Sequence, residues 1–228
     1  MLIAALDSTA VTASACIAEI NDGVLKTYSL CTVKNKLTHS ELLLPLLENA
    51  CNAYGASIKD VDLFAVSAGP GSFTGVRIGA STVKGLAFAQ NKPCAAVSAL
   101  EALAACQSGG YVLPVMDARR DQFYVALFKD GVRVSEDAAL TVPEILELTK
   151  DLIGVTVCGD GMAHFIELAG DPRFIPASPV SADQNALSVA LIGYKAHQNG
   201  EATDGKSLQP TYLRLPQAER ERLEREGR

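Results

Sequence analysis

Gly69, Gly71 and Gly75 form a G-x-G-x-x-x-G spacing inside Ala68-Gly-Pro-Gly-Ser-Phe-Thr-Gly75. A glycine-rich turn that opens a helix can bring several backbone N–H groups against one anion, and the helix dipole adds to the attraction. The spacing is not the dinucleotide fingerprint G-x-G-x-x-G, and no Gly-Lys-Ser/Thr closes it as in a Walker A loop. Lys84 stands more than two turns further along and cannot serve the same phosphate. Two readings follow: contact with an anion or nucleotide, or tight packing of a helix on a strand with no ligand. The bare motif favours the second.

Asp7 and Asp117 each end a short apolar run. In a two-lobed phosphotransferase such an acid sits near a metal, and the hairpin after it wraps the phosphates. That job wants glycine in the turn, so that backbone can approach the ligand. The first turn here reads Asp7-Ser8-Thr9-Ala10-Val11-Thr12, and the second reads Asp117-Ala118-Arg119-Arg120-Asp121-Gln122. Neither has a glycine. The hydroxyls of Ser8, Thr9 and Thr12 remain able to meet an anion, but ordinary ATP phosphotransfer is expected to be absent or feeble. Arg77 opposes the dipole at the head of its helix, so it needs another reason to be there. For Arg77 and Arg119 the default is a salt bridge, and the alternative is a bound anion.

His39 is followed by Ser40 and Glu41, but consecutive helical residues do not face one another. No nucleophile elbow G-x-S-x-G occurs. A metal pair would want a ligand at i+4, where Leu43 stands. A capping or surface role is expected for His39, with partner contact as the alternative. His164 and His197 have no partner at ligand spacing and read as structural. The six cysteines form no C-x-x-C and sit in or beside apolar runs, as buried free thiols of a cytosolic protein would. No catalytic residue and no metal ligand is nominated.

These groups need a scaffold. The chain has 228 residues, 48% hydrophobic and 20% charged, which is globular composition. No uninterrupted apolar run is long enough for a membrane span. The N-terminus lacks a basic region and meets Asp7 at once, unlike a signal peptide. A net charge of −6 argues against a lone grip on nucleic acid. Strands are predicted at 2–6, 13–20 and 24–33, the last two joined by the turn Asn21-Asp22-Gly23. A helix follows from Thr38, where Thr38-His39-Ser40-Glu41 has capping-box spacing, to Tyr54, with Pro45 as a kink or late start. Leu42, Leu43, Leu44, Leu46, Leu47, Ala50, Cys51 and Tyr54 give it more apolar surface than one stripe. Then come a buried strand 61–67, the glycine loop, a small-residue helix 76–90, a strand 94–97 and a helix 100–106. The pattern restarts: a strand 111–116 ending at Asp117, strands 122–129 and 132–136, a helix 143–150, a strand 155–158, a helix opening at Gly159-Asp160-Gly161, and a helix 184–197. An internal duplication is expected, with lobes at 1–107 and 108–228 meeting at Gln107-Ser108-Gly109-Gly110. The tail Ala218–Arg228 reads as a solvated, fraying helix.

The run from Ala68 through Arg77 to Gly79, followed by Lys84-Gly-Leu-Ala87, strongly resembles the TsaB (YeaZ) family, the non-catalytic paralogue of TsaD. The resemblance covers nearly the whole chain. It includes Leu6-Asp7-Ser8-Thr9, His39-Ser40-Glu41 with Leu44-Pro45, Asp117-Ala118-Arg119 with Tyr124, and Pro210-Thr-Tyr-Leu-Arg214. It implies an α/β, actin/hexokinase-like (ASKHA) fold of two duplicated ribonuclease-H-like lobes, with mixed sheets flanked by helices. It also implies a cytoplasmic scaffold that pairs with TsaD for threonylcarbamoyl transfer to adenosine 37 of tRNAs reading ANN codons. The ATPase TsaE would join, tRNA would be held mainly through TsaD, and ATP or ADP and a divalent metal would sit on partner subunits. The chain would have no cofactor of its own, and alone it would form a homodimer. The partner face is expected on Thr38, His39, Glu41, Leu42, Leu43, Leu46, Leu47 and Ala50, with Gly79 and Val83 nearby. A weak anion site is expected among Asp7, Ser8, Thr9, Gly69, Gly71, Gly75, Arg77, Asp117 and Arg119. The competing reading is a stand-alone ASKHA ATPase or phosphotransferase. A peptidase reading fails for want of a metal pair or a plausible triad.

Overall fold

The computed structural model describes residues 1–35 and 39–214. Thr38, with its capping box, and the tail 218–228 lie outside the described residues. The first sheet is built from β1 (Leu2–Asp7), β2 (Thr12–Asn21), β3 (Val24–Lys34), β4 (Leu63–Gly69) and β5 (Cys94–Ser98), in the order β3-β2-β1-β4-β5. β1–β2 and β2–β3 are antiparallel, while β1–β4 and β4–β5 are parallel. β4 is buried along its whole length, which is why its sequence is a continuous apolar run rather than an alternation. Helices α1 (His39–Tyr54), α2 (Phe73–Gln90) and α3 (Ala99–Ala104) complete the first half.

The second sheet repeats the plan. β6 (Tyr111–Asp117), β7 (Gln122–Val125), β10 (Ala138–Thr141), β11 (Val155–Cys158) and β12 (Phe174–Pro176) run in the order β10-β7-β6-β11-β12. The antiparallel and parallel pairings match the first sheet one for one. Two short strands, β8 (Phe128–Lys129) and β9 (Val132–Arg133), extend it beside β6. The expected single strand 122–129 is therefore split. At the break, Leu127 turns to the loop instead: its N–H donates to Ser135 Oγ at 2.8 Å, and its carbonyl accepts from Val134 N. The four- and three-residue strands β10 and β12 escape the pattern reading because they are too short to show an alternation. Helices α4 (Val142–Leu148) and α5 (Met162–Ala169) flank this sheet.

The last helix, α6 (Ala186–Gln198), crosses back to the first sheet. Its Ala186, Val189 and Ala190 share a core with Ile3, Ala5, Ala65 and Ala95. α1 and α2 cover the opposite face of that sheet, over Leu6, Ala15, Ile17, Phe64 and Val66. The 107/108 division thus separates the sheets but not the helices. α3 packs the other way, placing Leu100 and Leu103 in a core with Val112 and Met116 of β6.

Candidate functional site

The carboxyl ends of β1, β4, β6 and β11 face one cleft of about 820 Å³, at the crevice where open α/β sheets place ligands. Thr9, Ala10, His39 and the loop Pro70–Thr74 line one side. Met116, Asp117, Arg119, Arg120, Tyr124 and Asp160 line the other, and Thr211–Arg214 lie along the rim.

Asp7 and Ser8 lie beneath the floor of this cleft, fully buried, and do not line it. The Asp7 carboxylate accepts three hydrogen bonds: Ser67 Oγ at 2.5 Å on one oxygen, and Thr9 N and Thr9 Oγ1 at 2.9 and 2.7 Å on the other. Burial pushes its pKa above the ordinary carboxylate value, and these bonds oppose the rise. Ser8 Oγ donates to Gly75 O at 2.9 Å. The weak anion site expected at Asp7 and Ser8 is thus corrected, because their polar atoms serve the chain itself. Thr9 does reach the cleft wall.

The glycines of the loop have the same explanation. A Cβ on Gly69, whose φ is +114°, would lie 2.4 Å from Thr211 O, and one on Gly71 would lie 2.4 Å from Thr9 O. One on Gly75 would lie 1.9 Å from Ser8 O, and one on Gly79 would lie 2.7 Å from Ser8 Oγ. Ser72 N donates to Thr9 O at 2.7 Å, and Ser72 Oγ caps α2 by accepting from Gly75 N. The loop is glycine-rich because backbone meets backbone there, which is the packing reading. Only Gly71 of the three loop glycines borders the cleft.

The second turn is more open. Asp117 Oδ1 accepts from Arg119 N at 2.7 Å, the counterpart of Asp7 and Thr9 in the first lobe. Arg119, Arg120 and Asp121 follow one another with φ of 67°, 56° and 53°, a run that L residues seldom adopt. Both arginines are exposed on the cleft. Asp160, at the end of β11, was not singled out from sequence. Although its side chain is open to the cleft, the surrounding protein and then the Asp117 carboxylate push it up to about 6. Its signal was Gly159-Asp160-Gly161, which occupies in the second lobe the place of Gly69-Pro70-Gly71. His39 Nε2 donates to Ala10 O at 2.6 Å, tying α1 to the first turn, while its buried Nδ1 has no partner among the described residues. Among the described residues, no three His, Cys, Asp or Glu side chains come together as a metal site would need.

Arg77 lies outside the cleft lining. Its guanidinium stacks 3.7 Å from the Phe73 ring centroid, and its Nε donates to Tyr212 Oη at 3.0 Å. It therefore has an aromatic partner in place of the expected carboxylate.

A second, shallower groove of about 510 Å³ runs between α1 and α2, lined by Ser40, Leu43, Leu44, Phe73, Thr74, Arg77, Ile78, Ser81 and Thr82. Here the expected partner face needs correction. Leu43, Leu46, Leu47 and Ala50 are buried in this chain's own core, as are Val83 and Gly79. Their i, i+3, i+4, i+7 spacing is the inward stripe of α1. Leu42 is half-buried, His39 is occupied by Ala10, and Glu41 is exposed. Leu44, off the stripe, is 53% exposed and borders the groove.

The profile of the family described as "TsaD: tRNA N6-adenosine threonylcarbamoyltransferase" matches residues 34–218. The chain is 32% identical over 235 residues to "tRNA threonylcarbamoyladenosine biosynthesis protein TsaB" of Bacillus subtilis, covering 98% of this chain and 99% of that one. The solved structure "YeaZ from Pseudomonas aeruginosa" matches with a TM-score of 0.78 at 26% identity, over 93% of this chain and 99% of the other. A ROK hexokinase from Thermus thermophilus matches with a TM-score of 0.50 at 12% identity, over 86% and 100% of the two chains, and shares the fold alone. The fold is of the actin/hexokinase-like class.

Proposed function

This chain belongs to the TsaB (YeaZ) family and takes part in tRNA threonylcarbamoyladenosine biosynthesis, and on that premise we propose that it acts there as a non-catalytic docking subunit. Its partner in this reading is TsaD, which transfers the threonylcarbamoyl group from threonylcarbamoyl-AMP to N6 of adenosine 37 in tRNAs reading ANN codons. The ATPase TsaE joins the pair in the cytoplasm. Nucleotide and divalent metal belong to those partners, and tRNA is held mainly through TsaD.

One observation carries the non-catalytic part. The acid at the end of β1, where a phosphotransferase of this fold would work beside a metal, is consumed by Ser67 and Thr9 beneath a sealed turn. The carboxylate is fully buried, lines no part of the cleft and spends three of its roughly four acceptor sites on the chain itself, so a metal or substrate in the cleft does not meet it.

The docking part rests on the α1/α2 groove. Leu44 and Ile78 supply its apolar contact, Ser81 and Thr82 allow close approach, and the stacked pair Phe73 and Arg77 also lines it. Exposed apolar patches rimmed by polar groups mark interaction sites. Alone, the chain would cover the same groove with a second copy of itself. The test is co-expression with a TsaD partner, followed by pull-down and a tRNA modification assay. Wild type should bind and stimulate modification. Leu44→Glu combined with Ser81→Arg should keep its circular dichroism and lose binding. Retained binding would place the interface elsewhere, and turnover of ATP by the lone chain would favour the stand-alone enzyme.

A further inference from the structure

The segment Pro210–Arg214 carries neither helix nor strand, yet it is fastened at both ends. Just upstream, Leu208 is 1% exposed in the core of the first lobe. Thr211 N donates to Ala68 O at 2.7 Å, at the end of β4. Tyr212 stacks on Phe73 with ring centroids 5.1 Å apart, and its hydroxyl accepts from Arg77 Nε. These contacts all belong to the first lobe. Two residues later, Arg214 Nη1 donates to Ala118 O and, at 3.5 Å, to Arg119 O, both on the turn between β6 and β7 of the second lobe.

We propose that Pro210–Arg214 is a cross-lobe latch: it spans the mouth of the cleft and sets how far the two sheets can move apart. The geometry is restrictive. From Thr211 to Arg214 the backbone reaches roughly 11 Å at full extension. Opening beyond that reach and the arginine side chain must break the arginine–carbonyl bonds at one end or the tyrosine stack at the other. The arginine end is charge-assisted, the stronger kind of hydrogen bond. Gly69 takes part, because only a residue without Cβ lets Thr211 O approach so closely. The latch supplies from within the chain the tie that a bridging ligand supplies in a two-lobed binding protein. It makes the closed cleft a property of the chain by itself, and it stands whether or not the α1/α2 groove docks a partner.

The test uses the full-length protein and hydrogen exchange read by mass spectrometry. In Arg214→Ala, amides of residues 117–122 and 68–75 should exchange about tenfold faster, the change in a local opening equilibrium that loss of one charge-assisted bond implies. Amides of β11 and α4 should keep their wild-type rates. Tyr212→Ala, cut from the other end, should give the same local pattern. The double variant should go little further than either single one, because a latch freed at one end is already open. Arg214→Lys, which keeps the charge and N–H donors but not the guanidinium fork, should fall between and serves if the alanine variant does not fold. Wild-type rates at both segments in these variants would overturn the proposal. So would a uniform rise across the molecule, or full additivity in the double variant, either of which would make the contacts merely stabilising.

Discussion

The closeness of α2 to the first turn makes a prediction in which the sign of the effect is at stake. Gly75 and Gly85 lie on the same helix. Alanine is the better helix former, so each Gly→Ala change should stabilise by about 1 kcal/mol if propensity alone acts. At Gly85 nothing lies within 4 Å of the new Cβ, so the gain should be realised. At Gly75 the Cβ would sit 1.9 Å from Ser8 O and 3.1 Å from Ser8 C. That is roughly 1.5 Å inside van der Waals contact, against backbone that cannot rotate away. α2 must shift, at an overpacking cost of about 1–3 kcal/mol. The shift also strains the Ser8 Oγ–Gly75 O bond, worth about 1 kcal/mol. After subtracting the propensity gain, Gly75→Ala should lose roughly 1–3 kcal/mol net. For a chain of this size that lowers Tm by about 2–12 °C, while Gly85→Ala raises it by about 2–4 °C. Thermal and urea unfolding of both variants read this directly. Equal stabilisation by the two alanines would refute the packing account of the loop and reopen the ligand reading of its glycines.

Further consequences can be checked on the same preparations. Leu43→Ala should cost about 2–5 kcal/mol in urea unfolding, because Leu43 is a core residue, whereas Leu44→Ala should stay within about 0.5 kcal/mol. Asp7→Asn should cost little, since an amide can still accept from Thr9 and donate to Ser67 Oγ, but Asp7→Ala should lose about 2–4 kcal/mol by stranding buried donors. Asp160 has a folded pKa near 6 against an ordinary 3.8, so its contribution to stability is fully present below pH 4 and is lost as pH rises through 6. The Tm of wild type relative to Asp160→Asn should therefore fall across that window, and parallel pH profiles would contradict the assignment.

The alternation of strands and helices was legible because both lobes bury their central strands. An apolar run that ends in aspartate marks β1 and β6 alike, and the two turns even share the same carboxylate-to-amide bond. α1 runs through Pro45 unbroken, so the proline neither starts nor divides it. Its role was harder to read. A helix with surplus leucine shows that some face is sticky, but sequence does not say which residues the chain keeps for itself. Leu43, Leu46, Leu47 and Ala50 lie at the inward spacing, and the off-stripe Leu44 is the informative one. The anion-site expectation failed at Asp7 and Ser8 for a related reason. Glycines crowded by a ligand and glycines crowded by backbone have the same spelling, and only the distances to Ser8, Thr9 and Thr211 separate them. The rim segment Pro210–Arg214 carried a sequence resemblance but no periodicity, so its bridging position was invisible until the lobes were seen together. Asp160 was hidden because its counterpart in the first lobe is a proline.

In the proposed reading the polar groups under the cleft hold this chain together, and its contribution to tRNA modification is made at the α1/α2 groove. Reconstituted threonylcarbamoylation of tRNA with TsaD and TsaE, comparing Asp7→Asn with Leu44→Glu/Ser81→Arg at equal folded concentration, separates the two. Asp7→Asn should keep near wild-type modification, and the groove variant should lose stimulation. The reverse result, with the groove variant active and Asp7→Asn inactive though folded, would contradict it.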